Sequence, residues 1–444
     1  MKSIRLFRSF LKAKAIVFIS KSLGQGRGTS LPGISIEKRY PEVLKELSQG
    51  FGEIILISGT NGKTTTRSLL TSIYEANGVQ VCSNRGGANL IRGIASSLLL
   101  NLGWDLKPKA KVGIFEVEEA SLPTLCKYFK ADTLILTNVF RDQLDAYGEV
   151  NKTVEYFKSA LLNLGVKLNG AKLIEKEVLL KVIYNGEDKK LVDLIEDFEV
   201  QKLPFGIDIE DHKKPKYEAK ADPKNYKNCI KATNLETQNL EIKFDLKIEK
   251  KTLKIQSKLP GVYNVYNILA SVLASHPSFG KTILEPIANF MPAFGRGERI
   301  LFKNSEIILF LIKNPAGFDQ VLDLLSSNYE AKKLNLAVAI NDNIADGRDV
   351  SWLWDVDLEK FVKEQKLESL YTAGSRGLDM LTRFQYAGSP VEAGNNLDSL
   401  EDLVQNIETA AKPFVVLCTY TALMQFRKLL ETKTTLTKFD SAGN

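Results

Sequence analysis

The chain has 444 residues, 44% hydrophobic and 25% charged, an ordinary globular composition that argues against a wholly disordered, collagen-like or membrane-spanning chain. Lysine and arginine number 60 against 53 acids, and the net charge of +7 suits an anionic small substrate or a membrane surface without by itself indicating nucleic acid. Four cysteines with no CxxC pair and two histidines argue against a Cys/His zinc site and a disulfide framework, and point to a reducing, cytoplasmic setting.

In chain order, residues 1–23 carry Arg5, Arg8, Lys12, Lys14 and Lys21 among apolar residues and read as a basic amphipathic helix. Its longest uncharged apolar stretch, residues 15–20, is too short for a signal peptide or a membrane span. Such a helix either docks on the domain behind it or touches a membrane surface. A glycine-rich loop follows at residues 24–33. Glu53–Ser58 is a short β-branched apolar run, the pattern of a buried parallel strand. It runs into Gly59-Thr60-Asn61-Gly62-Lys63-Thr64-Thr65-Thr66 and then a helical stretch to Ala76. Further strands are expected at residues 112–117, 133–137 and 181–184 with helices between them, the alternation of an α/β domain. Residues 208–258 differ: they are dense in Lys, Asp and Glu, and alternating runs at 240–248 and 252–257 suggest antiparallel strands. Leu259-Pro260-Gly261 closes this excursion before a helix from about Tyr263. A second α/β unit starts near Glu306. Its expected strands are 307–312, 334–340, 369–373 and 414–420, and its expected helices 318–329, 378–386, 400–410 and 422–430. The chain thus divides into an N-terminal helix and loop (1–48), a central α/β region (49–298) and a second α/β unit (299–444), with the hinge at Gly295–Gly297.

A strand, a glycine-rich turn carrying Lys-Thr and a helix form a phosphate-binding geometry, because backbone N–H groups of the turn and the helix start point at the anion. Gly59, Thr60, Asn61, Gly62, Lys63, Thr64 and Thr65 are therefore the expected nucleotide loop. Lys63 reaches the terminal phosphates and Thr64 places its hydroxyl on Mg²⁺. The common loop signature wants glycine where this chain has Ile57, so the loop is a tighter variant.

This variant resembles the ATP loop of the Mur ligase superfamily, which includes folylpolyglutamate synthetases and activates carboxylates as acyl phosphates. Other segments resemble that superfamily: Thr137-Asn138 with Asp142-Gln143-Leu144-Asp145, Gly261-Val262-Tyr263-Asn264-Val265-Tyr266-Asn267, Gly295-Arg296-Gly297-Glu298, Lys313-Asn314-Pro315, and Glu116 after its strand. The loop begins at residue 59, which leaves no room for the UDP-binding domain of about a hundred residues that an amino-acid-adding Mur ligase carries ahead of it. Gln143 in place of histidine, the segment Gly28-Thr29-Ser30-Leu31-Pro32-Gly33, the stretch Asn341–Trp352 and Thr419-Tyr420-Thr421-Ala422-Leu423 resemble the MurT family, the ligase-like subunits of lipid II isoglutaminyl synthases.

The resemblance implies a Mur ligase-type central P-loop ATPase domain, a C-terminal Rossmann-like α/β domain and no UDP-binding domain. It implies an ATP- and Mg²⁺-dependent ligase that activates the α-carboxylate of D-glutamate in the lipid II stem peptide. Ammonia from a GatD-type class I glutamine amidotransferase subunit then gives D-isoglutamine. Lys63 and Glu116 are the expected catalytic groups, with Thr64 and Glu116 on Mg²⁺; Glu116 also reads as a plain strand-end carboxylate. Asn264 and Asn267 are adenine-side contacts or helix caps, and Arg296 touches phosphate or ribose or pairs at the hinge. The resemblance makes Asp349 the residue that completes the partner's Cys-His pair into a triad; the plain alternative is that Asp346, Asp349 or Asp355 caps the helix near Trp352. The family's four-cysteine zinc ribbon is reduced here to Cys229 within residues 208–258, so no zinc is expected. Phe310 stands where the ligases keep a ribose-binding aspartate, and Lys158 matches their carbamylated lysine by spacing alone. Two other readings stay open: an amino-acid ligase of the folylpolyglutamate type, and a nucleotide-binding scaffold without catalysis.

Overall fold

A computed structural model describes residues 7–8, 10–12, 14–15, 33, 42–84, 88–140, 150–169, 179–208, 229–248, 251–291, 295–329 and 333–436. The 24–32 loop, residues 141–149 with Gln143, and residues 209–228 of the ribbon region lie outside the described residues.

The first half is built on a nine-stranded sheet. In chain order the elements are α1 (Glu42–Ser48), β1 (Glu53–Ser58), α2 (Lys63–Ala76), β2 (Val81–Ser83), α3 (Ile91–Asn101), β3 (Val112–Glu116), α4 (Leu122–Cys126) and β4 (Thr133–Leu136). Then come α5 (Val150–Asn163), β5 (Lys181–Asn185), α6 (Lys189–Glu196), β6 (Gln201–Ile207), β7 (Ile230–Gln238), β8 (Glu241–Ile248), β9 (Lys251–Ser257), α7 (Val262–Ala274) and α8 (Leu284–Asn289). The strand order is β2-β3-β1-β4-β5-β6-β7-β8-β9. Pairing is parallel from β2 to β7 and antiparallel from β7 to β9.

Alternation along β1 explains why this strand is apolar on both faces. Ile54 and Leu56 join a core with Phe115, Leu98 and Leu134 on one side, while Ile55 and Ile57 join Leu69, Ile73 and Val265 on the other. β1 thus sits in the middle of the sheet with helices on both faces, and its end delivers the loop at Gly59.

The second half holds β10 (Arg296–Phe302), β11 (Ser305–Leu311), α9 (Pro315–Asn328), β12 (Leu334–Ala339), α10 (Leu358–Glu364), β13 (Leu367–Ala373), α11 (Gly377–Tyr386), α12 (Leu400–Ala410), β14 (Phe414–Cys418) and α13 (Tyr420–Glu431). Its sheet order is β10-β11-β14-β12-β13, parallel except for the β10–β11 hairpin. Residues 296–298 belong to the first strand of this second sheet. Gly295 and Gly297 both have positive φ, +66° and +83°, where a side chain is strained, and a bulge follows at Arg296/Glu298.

Several elements differ from the sequence expectation. The last strand stops at Cys418 rather than at residue 420, because the Thr419 N–H pairs with Ala339 and its carbonyl already accepts from Leu423, opening α13. β2, β6, β7 and β10 were not anticipated. β6 carries Pro204 and Gly206, residues that weaken a strand signal, and β7 mixes polar and apolar positions.

Candidate active site

The phosphate loop is held from both sides. Gly59 has φ +129°, and a Cβ there would stand 2.2 Å from Thr137 Oγ1. Gly62 has φ +90°, and a Cβ would stand 2.2 Å from Asn267 Oδ1. Only glycine fits these two positions. The Asn61 N–H donates to Asn138 Oδ1 at 2.9 Å, Asn138 Nδ2 donates to the Asn61 carbonyl at 3.0 Å, and Thr137 Oγ1 donates to the same carbonyl at 2.7 Å. The Thr60 N–H donates to the Asn138 carbonyl at 3.0 Å, and its hydroxyl meets Phe140. Gly62 stands at the N-cap of α2 with no side-chain cap, so the first N–H groups of that helix are available to an anion.

Charged groups surround this helix start. Lys63 Nζ donates to the Gly59 carbonyl at 2.7 Å and to Glu119 Oε1 at 2.9 Å, with Glu118 Oε1 at 3.8 Å. Burial drives the Glu119 carboxyl above its ordinary value and Glu118 adds to the effect, while Lys63 and Lys313 oppose it. Glu116 is buried at the end of β3. It accepts from Thr64 Oγ1 at 3.3 Å and from Arg67 Nε at 3.2 Å, and its backbone is clamped by Asn84 at 2.7 and 3.0 Å. Asn89 Nδ2 donates to Glu118 Oε2 at 2.6 Å.

A cleft of about 250 Å³ runs between the two sheets. It is lined by Thr60 to Thr65, Glu116, Glu118 and Asn267, and across from them by Arg296, Phe310 and Lys313. Asn61 and Asn314 close one end with reciprocal amide bonds of 3.3 and 3.2 Å. Asn314 also caps α9 by accepting the Gly317 N–H at 2.8 Å. Arg296 is flanked by Tyr263, and burial lowers its pKa while Glu116 and Tyr263 oppose that shift.

Of the expected nucleotide residues, Thr60, Asn61, Gly62, Lys63, Thr64, Thr65, Glu116, Asn267 and Arg296 come together on this cleft. Gly59 lies beneath it against Thr137. Asn264 is buried behind it: its Nδ2 donates to the Pro260 carbonyl at 2.7 Å and its Oδ1 accepts from Asn267 at 2.9 Å. Asn264 thus holds Asn267, whose Oδ1 receives the Thr66 hydroxyl at 3.3 Å and sits against Gly62. Asp349 stands apart on the loop after β12, where Oδ1 accepts the Ser351 N–H and Oδ2 its hydroxyl, both at 2.8 Å. Lys158 is exposed on α5 and Cys229 is half-buried. Among the described residues no three His, Cys, Asp or Glu side chains form a metal cluster.

Comparison with known proteins agrees with this geometry. The Mur ligase middle domain family matches residues 57–275, and the MurT ligase C-terminal family matches residues 311–423. The MurT subunit of the glutamine-hydrolysing lipid II isoglutaminyl synthase of Streptococcus pneumoniae is 30% identical over 438 residues, covering 92% of this chain and 93% of that protein. The chain belongs to the MurT family. The Staphylococcus aureus MurT subunit is 29% identical over 393 residues, covering 83% and 85%. Among solved structures, MurF from Acinetobacter baumannii superposes with TM-score 0.64 at 17% identity, covering 91% of this chain and 80% of that one. MurF from Thermotoga maritima in complex with ADP gives 0.62 at 15%, covering 88% and 84%. These last two show the fold.

As a MurT-family chain the protein is an ATP-dependent ligase of the Mur type. Its cleft can cradle a polyphosphate on uncapped helix N–H groups and meet it with two lysines and an arginine, while Glu116, Glu118 and Glu119 balance the cations around the loop. Sequence reasoning did not assign Glu118, Glu119, Arg67, Lys313 or Tyr263 to the site. The first two stand in the same Glu-Val-Glu-Glu run as Glu116, a local cue; Arg67 lies one helical turn after Lys63. Tyr263 reaches the cleft because α7 packs on α2, and Lys313 only through the meeting of the two sheets.

Proposed function

We propose that this chain activates the α-carboxylate of D-glutamate in the lipid II stem peptide and amidates it with ammonia from a GatD-type glutaminase subunit. The observation that carries the reading is the composition of the cleft: an uncapped helix start with Lys63, Arg296, Lys313, Glu116 and Glu118, lined among the described residues by no cysteine or histidine. That set suits phosphoryl transfer to a substrate oxygen, with no covalent enzyme intermediate. A carboxylate oxygen attacks the γ-phosphorus and the bond to the ADP oxygen breaks. Ammonia then adds to the acyl carbon, the C–O bond breaks, phosphate leaves, and the nitrogen loses a proton to give the amide. Lys63 leaves Glu119 to meet the phosphates, and Arg296 and Lys313 offset the charge from the opposite wall. The Thr64 hydroxyl and Glu116 carboxylate form a hard-oxygen set that would hold Mg²⁺, which would supply charge neutralisation at the phosphates. Asn267 supports the loop on the adenine side.

The partner's face is the loop that bears Asp349. Ile344 at 83%, Trp354 at 52% and Tyr386 at 72% exposure crowd this loop, the turn after it and α11, an apolar surface suited to a protein partner. Ser351 fixes both Asp349 oxygens, and their remaining lone pairs accept from the partner's catalytic histidine. The described helices are too short or too polar to cross a membrane, and the reading places the chain peripherally at the inner face, where lipid II is reached.

The test supplies lipid II, ATP, Mg²⁺ and either glutamine or ammonium to the chain co-purified with a class I glutaminase. Lys63→Ala abolishes amide formation with both nitrogen sources. Asp349→Asn abolishes it with glutamine and keeps it with ammonium. Absence of amide with ammonium overturns the reading in favour of an amino-acid ligase. Glutamine-driven amide from Asp349→Asn reduces Asp349 to a cap for Ser351.

A further inference from the structure

The end of the first sheet opposite the cleft carries an unusual surface. The cleft sits at the C-terminal ends of β1 and β3, whereas the loop between α3 and β3 lies at their N-terminal ends. α3 has 11 residues, so about 16 Å of helix separates the two. In this loop Trp104 is 76% exposed. It is not a loose side chain. The loop is tied by Gly103 N–H to the Lys107 carbonyl at 2.8 Å and Leu106 N–H to the Gly103 carbonyl at 3.1 Å, and Leu102 bridges Pro108. Leu106 takes φ +61°, a strained conformation held because the loop is fixed around it.

The N-terminal helical residues lie against this loop. Phe10 is fully buried in the core that includes Leu98, Leu99 and Leu102, and its ring meets Trp104 edge-on at 5.4 Å. That anchor leaves Phe7 and Leu11, one turn apart, 41% and 40% exposed. Cations crowd the same place. Lys14 Nζ stands 5.3 Å over the Phe10 ring, and its pKa is lowered by burial and by the charge of Lys109. Arg8, Lys12, Lys107, Lys109 and Lys111 are exposed on the helix and loop, against Asp105, whose carboxylate accepts the Lys107 N–H of its own turn.

Gathering like charges is unfavourable, and exposing tryptophan and phenylalanine to water is unfavourable; one surface relieves both. We propose that the Trp104 loop and the N-terminal helix form a docking surface for an anionic lipid bilayer, with Trp104, Phe7 and Leu11 entering the headgroup region and the lysines facing lipid phosphates. Tryptophan favours that interface, and a helix with Phe and Leu beside Lys and Arg is the interfacial pattern. Among the described residues here the cations outnumber Asp105, and an anionic membrane complements that excess together with the exposed Trp104, Phe7 and Leu11. Docking here leaves the cleft clear of the bilayer plane. The proposal deepens the membrane placement in the preceding reading and rests on it for biological purpose only.

The test uses the full-length chain without ATP or substrate, so that it stands or falls separately from the amidation assay. Extruded vesicles of 70:30 phosphatidylcholine and phosphatidylglycerol are compared with phosphatidylcholine alone in sedimentation. The chain sediments with the anionic vesicles, less so as salt rises, and stays in the supernatant with the neutral ones. Lys107→Ala with Lys109→Ala lowers the partition ratio roughly 10- to 30-fold. Trp104→Ser lowers it roughly tenfold, and brominated lipid quenches the wild-type fluorescence much more than that of Trp104→Phe. Both are exposed substitutions, and unchanged melting curves confirm the fold. The proposal is overturned if the wild type ignores anionic vesicles or if these variants sediment as it does. It is equally overturned if light scattering shows a self-associated chain that Trp104→Ser disperses without vesicle binding, which would assign the face to a second copy.

Discussion

Gly62→Ala probes the loop geometry most directly. A non-glycine residue at φ +90° costs about 1–2 kcal/mol. The new Cβ would stand 2.2 Å from Asn267 Oδ1, so Asn267 must rotate away. Rotation breaks the Thr66-to-Asn267 bond of 3.3 Å and the Asn267-to-Asn264 bond of 2.9 Å, about 1 kcal/mol each. The sum is about 3–4 kcal/mol, or about 6–16 °C in the melting temperature at roughly 2–4 °C per kcal/mol. ATP affinity measured by calorimetry falls at least about tenfold, because the displaced loop no longer aims its N–H groups. A double-mutant cycle isolates the cause. Asn267→Ala removes the obstructing oxygen, so adding Gly62→Ala to it costs only the backbone term, and the pair is less destabilised than the sum by about 1–2 kcal/mol. Strict additivity, or a Gly62→Ala protein that melts and binds ATP like the wild type, would refute the loop conformation argued above.

Burial pushes the Asp188 carboxyl up to about 6, against the pull of the Val139, Leu191 and Lys190 N–H groups. The native state therefore holds this proton more tightly than the unfolded chain, and the stabilisation is complete below about pH 4 and lost as pH rises through 6. Asp188→Asn removes that slope, so urea unfolding at pH 4.5 and 7.5 should show the variant gaining on the order of 2 kcal/mol relative to wild type at the higher pH; a pH-independent difference would contradict the assignment. Arg427 forms a buried ion pair with Glu298, which also accepts the Gly295 N–H at 3.2 Å. Arg427→Ala strands that carboxylate and lowers stability by about 3–5 kcal/mol in thermal melts, whereas Arg427→Met with Glu298→Leu recovers most of it. Asp346 Oδ1 accepts the Thr421 N–H at 2.7 Å, so Asp346→Ala costs about 1–2 kcal/mol and speeds hydrogen exchange at Thr421, with exchange in α12 unaffected.

The phosphate loop was legible because its requirements are local. A β-branched strand, two glycines, Lys63-Thr64 and a helix are contiguous, and Gly59 and Gly62 declare positive φ by residue type. Glu116 was singled out by the resemblance, and the structure places it buried at the end of β3 beside Thr64. The α/β alternation showed most parallel strands, since a strand covered on both faces must be apolar throughout. β6 and β7 escaped, because Pro204, Gly206 and a polar alternation give no such run.

Family membership, the nucleotide loop and the alternating architecture were thus written in short stretches of chain, where neighbouring residues do the work together. Sequence could not say that Asn264 holds Asn267 while Asn267 meets Gly62, because two residues three apart on one helix differ only in what packs against each. Nor could it place Lys313 and Arg296 opposite Lys63, or set Trp104 beside Phe7 and Leu11. Those pairings join residues tens to hundreds apart in the chain, and only the closing of one sheet against the other, and of the first helix on the core, brings them together.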